Sequence, residues 1–259
     1  MRGPVVVGVD SSSSLAAVEA AAREAERLGT GLRLAHALTW SSAHLPPGVP
    51  PWDRDGAAAR VRLTGPLNEA ERAARRIAPG VAVTQDVLIG EPPAVLESQS
   101  RTASLTVVGS GPADGVGGRL RPSVAGQLAA RSRGPLLVIR GRPGPDGPVV
   151  LGDDLSREAA EFAFSEAIRR GTDLVVLHPR TRAARPLSAL RKKHPDIVVR
   201  ERRADSWTGH ALVEASGTAQ LVVIGARQHR IADTLRVSAA RILVDHAHCP
   251  VAVIPLRKA

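Results

Sequence analysis

Four short apolar motifs in the first half of this chain return, in the same order, in its second half. VVVGVD at 5–10 answers VVLGDD at 149–154, and LAH at 34–36 answers VLH at 176–178. LTVVGS at 105–110 answers LVVIGA at 221–226, and GPLLVI at 134–139 answers CPVAVI at 249–254. An ordered duplication of this kind restricts the chain to two copies of one supersecondary plan. Each motif is an apolar run without alternation, the pattern of a parallel strand covered on both faces.

Helical spacing fills the gaps between strands. Leu15, Val18, Ala22, Ala25 and Leu28 recur on one face, and Gly29 ends that helix. The same reading predicts helices over 66–78, 92–101, 186–194, 207–216 and 234–247, one capped by Ser156 and running to Arg170, and one opening near Pro122–Ser123 with Pro122 as a favoured first residue. Strands are predicted over 5–9, 32–38, 81–89, 105–108 and 136–140, then over 149–152, 173–178, 197–201, 221–224 and 251–255. Residues 40–64 form a Pro-rich insert, and GRPGPDGP at 141–148 has linker composition.

Alternating strands and helices give an α/β class: two tandem Rossmann-like domains, each an open five-stranded parallel sheet with helices on both faces. Domain one is expected over 1–141, a linker over 142–148 and domain two over 149–259. In such sheets ligands settle beyond the carboxyl ends of strands, where the winding direction reverses.

Composition narrows the chemistry. The 259 residues contain one cysteine, Cys249, which excludes an intramolecular disulfide framework and fits a reducing cytoplasm. Apolar runs are strand-length, so no membrane span is expected. Residues 1–9 run from Arg2 straight into a strand-like PVVVGV, so no signal peptide is expected. The net charge of +10 rests on arginine, with lysine only at 192, 193 and 258. Aromatics are 2% and tyrosine is absent, so base-stacking platforms are scarce and nucleic acid is disfavoured as a partner.

The loop Gly109–Gly118 lies between a strand's carboxyl end and a helix's amino end, where free backbone N–H groups suit an anion. Ser11–Ser14 are expected to cap a helix, since no base or orienting acid accompanies them as a triad requires. Asp245-His246-Ala247-His248-Cys249 gathers possible zinc ligands, but adjacent residues at a helix end point apart, and the helix dipole accounts for the histidines. No metal site is expected.

The whole pattern resembles the universal stress protein family in its tandem form. VVVGVD with Ser12, the second strand carrying His36, Gly90 before a Pro-led helix, and VVGS with PLLVIR carry the resemblance. It implies the adenine-nucleotide alpha hydrolase-like fold with strand order 3-2-1-4-5. It also implies that the last strands of the two repeats meet edge to edge as an internal pseudo-dimer; a homodimer remains open.

Family members that hold ATP carry Gly-x2-Gly-x9-Gly-Ser/Thr. Here Gly109 matches, Pro112 and Pro122 replace the next two glycines, and Ser123 matches. In the second repeat Gly225 and Ser238 match, Gln228 and Val237 replace glycines, and the loop is one residue short. Proline offers no N–H to a phosphate oxygen.

The resemblance therefore makes Asp10, Ala37, Gly109, Ser110, Gly111, Arg119, Ser123 and Val124 the first repeat's candidates for ATP or another adenine nucleotide. Asp154, Gly225 and Ser238 are the second repeat's. Pro179 stands where Ala37 stands in the first. No nucleophile–base pair or metal cluster is signalled, so the expected role is non-catalytic, in stress response or dormancy, through a small ligand or protein partner. The alternative is an adenine-nucleotide sensor using residues 109–123.

Overall fold

The computed structural model describes residues 3–10, 15–39, 56–111, 123–142, 144, 146–152, 156–179, 187–204, 208–226 and 239–256. These fall into two compact units, Met1–Gly109 and Ser110–Ala259.

The first unit alternates strand and helix: β1 (Val5–Gly8), α1 (Leu15–Leu28), β2 (Leu32–Leu38), α2 (Gly56–Ile77), β3 (Val83–Ile89), α3 (Pro92–Gln99) and β4 (Leu105–Gly109). Its strands run parallel in the order β3-β2-β1-β4. Val5, Val7, Leu34 and Val107 are fully buried between layers, with Ala17, Val18, Ala21 and Ala25 of α1 packed above them. Alanine on the inner helix face lets helix and strand approach closely.

The second unit holds α4 (Val124–Arg131), β5 (Leu136–Ile139), β6 (Val149–Gly152), α5 (Arg157–Arg170), β7 (Leu174–Pro179), α6 (Leu187–Lys193), β8 (Val199–Ala204), α7 (Thr208–Ala215), β9 (Leu221–Ala226), α8 (Ala239–His246) and β10 (Val251–Pro255). Its order is β5-β10-β9-β6-β7-β8. The ladders are parallel except β5 with β10, which is antiparallel with Ala252 opposite Leu137. The second repeat thus shows the order 3-2-1-4-5, and the last strands of the two repeats meet edge to edge.

The duplication extends to single hydrogen bonds. In the first repeat Thr30 Oγ1 donates to the Gly3 carbonyl at 3.0 Å, and Ser104 N donates to the Pro4 carbonyl at 3.0 Å. In the second, Thr172 Oγ1 donates to Gly147 at 2.9 Å and Gln220 N to Pro148 at 3.0 Å. A Cβ on Gly3 or Gly147 would overlap the carbonyl of Thr102 or Thr218 respectively. The Gly-Pro pair ahead of each first strand thus makes the same contacts in both halves. Gly144 N bonds the Ala219 carbonyl at 3.1 Å and Arg142 N bonds His248 at 2.9 Å, so the linker-like stretch is held against the second unit.

Two sequence expectations are corrected. The second helix begins at Gly56, ten residues before Pro66, which lies inside it. AAARVRL is rich in helix formers, and the helix continues past a residue that lacks an N–H. β8 starts at Val199 and runs on through a charged stretch to Ala204, because ladder bonds to β7 set its bounds and not hydrophobicity. The helix near 122–123 opens at Val124 with Ser123 as its N-cap; Pro122, read as its favoured first residue, lies outside the described residues. Ser11–Ser14 and the expected start of the last helix at Thr234 lie outside the described residues.

Candidate functional site

In the first unit the chain steps outward from β1 to β2 and β3, then returns to the other side of β1 as β4, so the winding direction reverses between β1 and β4. Val7 pairs with Val107 and Gly8 with Ala35. This register brings Asp10, Ala37 and Gly109 to the carboxyl ends of three adjacent strands. Val9 N donates to the Ala35 carbonyl at 2.9 Å, and His36 Nδ1 donates to the Val9 carbonyl at 2.8 Å. His36 is therefore committed to fixing the end of β1. Gly8 completes this end: a Cβ there would lie 2.9 Å from Leu96 Cδ1 of α3. Asp10 is exposed just past the pinned strand end.

The remaining first-repeat candidates belong to the second unit. Ser110 N donates to the Ile139 carbonyl at 3.0 Å, which removes that amide as a donor to a ligand. Gly111 has φ +71°, a conformation that glycine adopts without strain. Ser123 Oγ accepts from Gly126 N at 3.0 Å, capping the helix whose first residue is Val124. Arg119 lies outside the described residues.

In the second repeat the reversal falls between β6 and β9, where Gly225 pairs with Ile254 and Gly152 with Ile224. A Cβ on Gly152 would run into Leu212 of α7, as one on Gly8 would into Leu96. Pro179 ends β7 opposite Ala204, so the position answering Ala37 has no N–H to give. His178 is buried, and its Nε2 lies 3.6 Å from Glu201 of β8, which Arg191 also holds at 2.8 Å. Sequence reading gave no sign of this cluster, because its members are far apart in the chain. Asp154 and Ser238 lie outside the described residues.

Two members of the C-terminal Asp/His/Cys run make hydrogen bonds within the second unit. Asp245 takes Arg241 Nε at 2.7 Å, and His248 N donates to Ser216 Oγ at 2.8 Å. Burial pushes the Cys249 thiol up to about 12, more than the Val222 backbone hydrogen bond offsets. Among the described residues no three His, Cys, Asp or Glu side chains come together as metal ligands.

The sequence model of the universal stress protein family matches residues 1–140 and 180–255. The chain belongs to the universal stress protein family. Two matched segments on a duplicated sheet make it a tandem universal stress protein. It is 31% identical to universal stress protein Rv2623 of Mycobacterium tuberculosis, covering 86% of each chain. It is 30% identical to universal stress protein Mb2019 of Mycobacterium bovis, over 96% of this chain and 94% of the relative. Among solved structures, a universal stress protein from Archaeoglobus fulgidus superposes with a TM-score of 0.76 at 14% identity, covering 98% of this chain and 96% of that one. A universal stress protein from Pseudomonas aeruginosa gives 0.56 at 17% identity, over 97% and 91%. These likenesses show the universal stress protein fold.

Proposed function

We propose that this universal stress protein acts without turnover, in stress response or dormancy, as a cytoplasmic scaffold that binds a small ligand or a protein partner and whose two phosphate loops have lost most of their grip on ATP. The observation that carries this reading is the state of the first loop's anchors. Ser123 Oγ already serves as a helix cap, the Ser110 amide is engaged by Ile139, and prolines occupy positions 112 and 122. A hydrogen bond to a charged group contributes about 1.5–3 kcal/mol, so two missing amides weaken binding by roughly two to four decades. In the second repeat Gln228, Val237 and Pro179 add to the loss. We divide the chain as domain one over 1–141, a linker over 142–148 and domain two over 149–259.

The second reading is an adenine-nucleotide sensor that uses the first repeat alone. Asp10, Ala37 and Gly109 at adjoining strand ends favour it, because that end of the sheet keeps its register and presents an acidic side chain just past β1. Calorimetric titration with ATP–Mg²⁺ separates the two: silence supports the scaffold, and saturable micromolar binding supports the sensor.

A further inference from the structure

The outer strands of the two repeats occupy the same place in the duplicated plan but differ in character. β3 reads VTQDVLI, and its one charge, Asp86, lies 3.3 Å from Arg33 Nε of the neighbouring strand. β8 reads VRERRA, with Arg200, Glu201, Arg202 and Arg203 all exposed. Charges on an edge strand discourage association between copies, yet the matching edge does without them, so the fold itself does not require a basic β8.

The cations around β8 exceed the anions that hold them. Arg191 in the last turn of α6 takes Glu201 at 2.8 Å, and Arg200 reaches Asp173 at 2.9 Å. Among the described residues, Lys192, Lys193, Arg202 and Arg203 enter no ion pair. Lys192 and Lys193 are two of the three lysines in a chain that otherwise writes its cations as arginine.

Among the described residues no strand pairs with the outer side of β8. Leu174 N donates to the Val198 carbonyl and pairs with Val199, so Val199, Glu201 and Arg203 turn their backbone N–H and C=O away from β7. Side chains alternate across the strand, which puts Arg200 and Arg202 on one face. A segment added along this edge with an acidic residue at every second position would set its carboxylates beside those two guanidinium groups. Backbone bonds would supply the pairing and charge would supply the choice of partner.

We infer that β8 is a docking edge for an acidic, extended segment of a partner protein, which joins the sheet as a further strand. The inference rests on the partner-binding role proposed above and gives that role a partner of stated chemistry. The test uses the full chain and a fluorescein-labelled peptide of four Thr-Glu repeats, followed by fluorescence anisotropy. Binding is expected, with a loss of about tenfold or more for Arg200→Glu/Arg202→Glu and a similar loss for a Pro-Glu peptide that lacks the N–H groups of a ladder strand. Both substituted positions are exposed, and an unchanged circular dichroism melt confirms that the variant is folded. No binding, equal binding of the two peptides, or binding indifferent to the charge reversal overturns the inference. A flat peptide curve alongside a silent ATP titration leaves the scaffold open to other partners; saturable ATP binding overturns the scaffold reading whatever the peptide does.

Discussion

Arg140 donates Nε to the Ala247 carbonyl at 2.6 Å and a second guanidinium nitrogen to the Val244 carbonyl at 3.0 Å. The residue that follows the first repeat's last strand thereby caps the second repeat's last helix, whose final carbonyls have no partner of their own. Burial lowers the Arg140 pKa while nearby Asp245 raises it, and the guanidinium stays charged. The position that answers Arg140 is Pro255, which has no side-chain donor to return the cap. Arg140→Met keeps most of the packing and removes both bonds. It is expected to cost about 2 kcal/mol, read from a urea melt at constant m-value.

Gly141, next in the chain, has φ +56°, and a Cβ there would overlap the His248 backbone. Gly29 has φ +62° but faces open space. Gly29→Ala is expected to cost about 1 kcal/mol, the strain of a left-handed alanine alone. Gly141→Ala carries the same strain plus a backbone collision, and its melting temperature is expected to fall well below that of Gly29→Ala.

Thr106 is fully buried on β4, and its hydroxyl finds no hydrogen-bond partner among the described residues. The second repeat has Val222 at the matching position. Thr106→Val keeps the shape and removes an orphaned polar group, so it is expected to stabilise the fold by about 1 kcal/mol. A loss of stability would mean that the hydroxyl has a partner.

Cys249 gives a pH dependence. Its pKa rises from the ordinary value of 9.0 to about 12 in the fold, chiefly because burial disfavours the thiolate. Above pH 9 the unfolded chain releases this proton while the folded chain keeps it, so stability declines as pH rises from 9 towards 12. Cys249→Ala is expected to flatten that part of the stability profile. Iodoacetamide is expected to modify the thiol of the native protein only as fast as it unfolds.

Glu166 is buried between Arg169 and Arg170 at the end of α5, with Arg170 at 3.1 Å. Its counterpart Glu24 is also buried and takes Arg27 at 2.8 Å. Glu166→Gln leaves two guanidinium groups facing a neutral amide and is expected to cost about 3 kcal/mol in a chemical melt. Glu24→Gln, with its more exposed partner, is expected to cost less.

The fold was legible because its signals are local and doubled: VVVGVD and VVLGDD each announce a strand, and the second confirms the first. Gly29 and Gly171 mark helix ends with the same φ of 62°. Sequence alone shortens α2 because Pro66 reads as a start where the chain runs through it, and it sets β8 two residues early because ladder bonds hold charged residues that hydrophobicity does not flag. At the candidate site, the strand-end positions of Asp10, Ala37 and Gly109 followed from alternation and topology. The capping role of Ser123, the committed Ser110 amide and the His178–Glu201 approach depend on residues brought together only by folding, and no spacing in the sequence encodes them.

Isothermal titration of the purified full chain with ATP–Mg²⁺ tests the loss of phosphate donors most directly. The expected trace shows no saturable heat in the micromolar range, for the wild type and for Ser123→Ala alike. A micromolar isotherm with one site per chain, abolished by Ser123→Ala while the melt shows the helix intact, would contradict it.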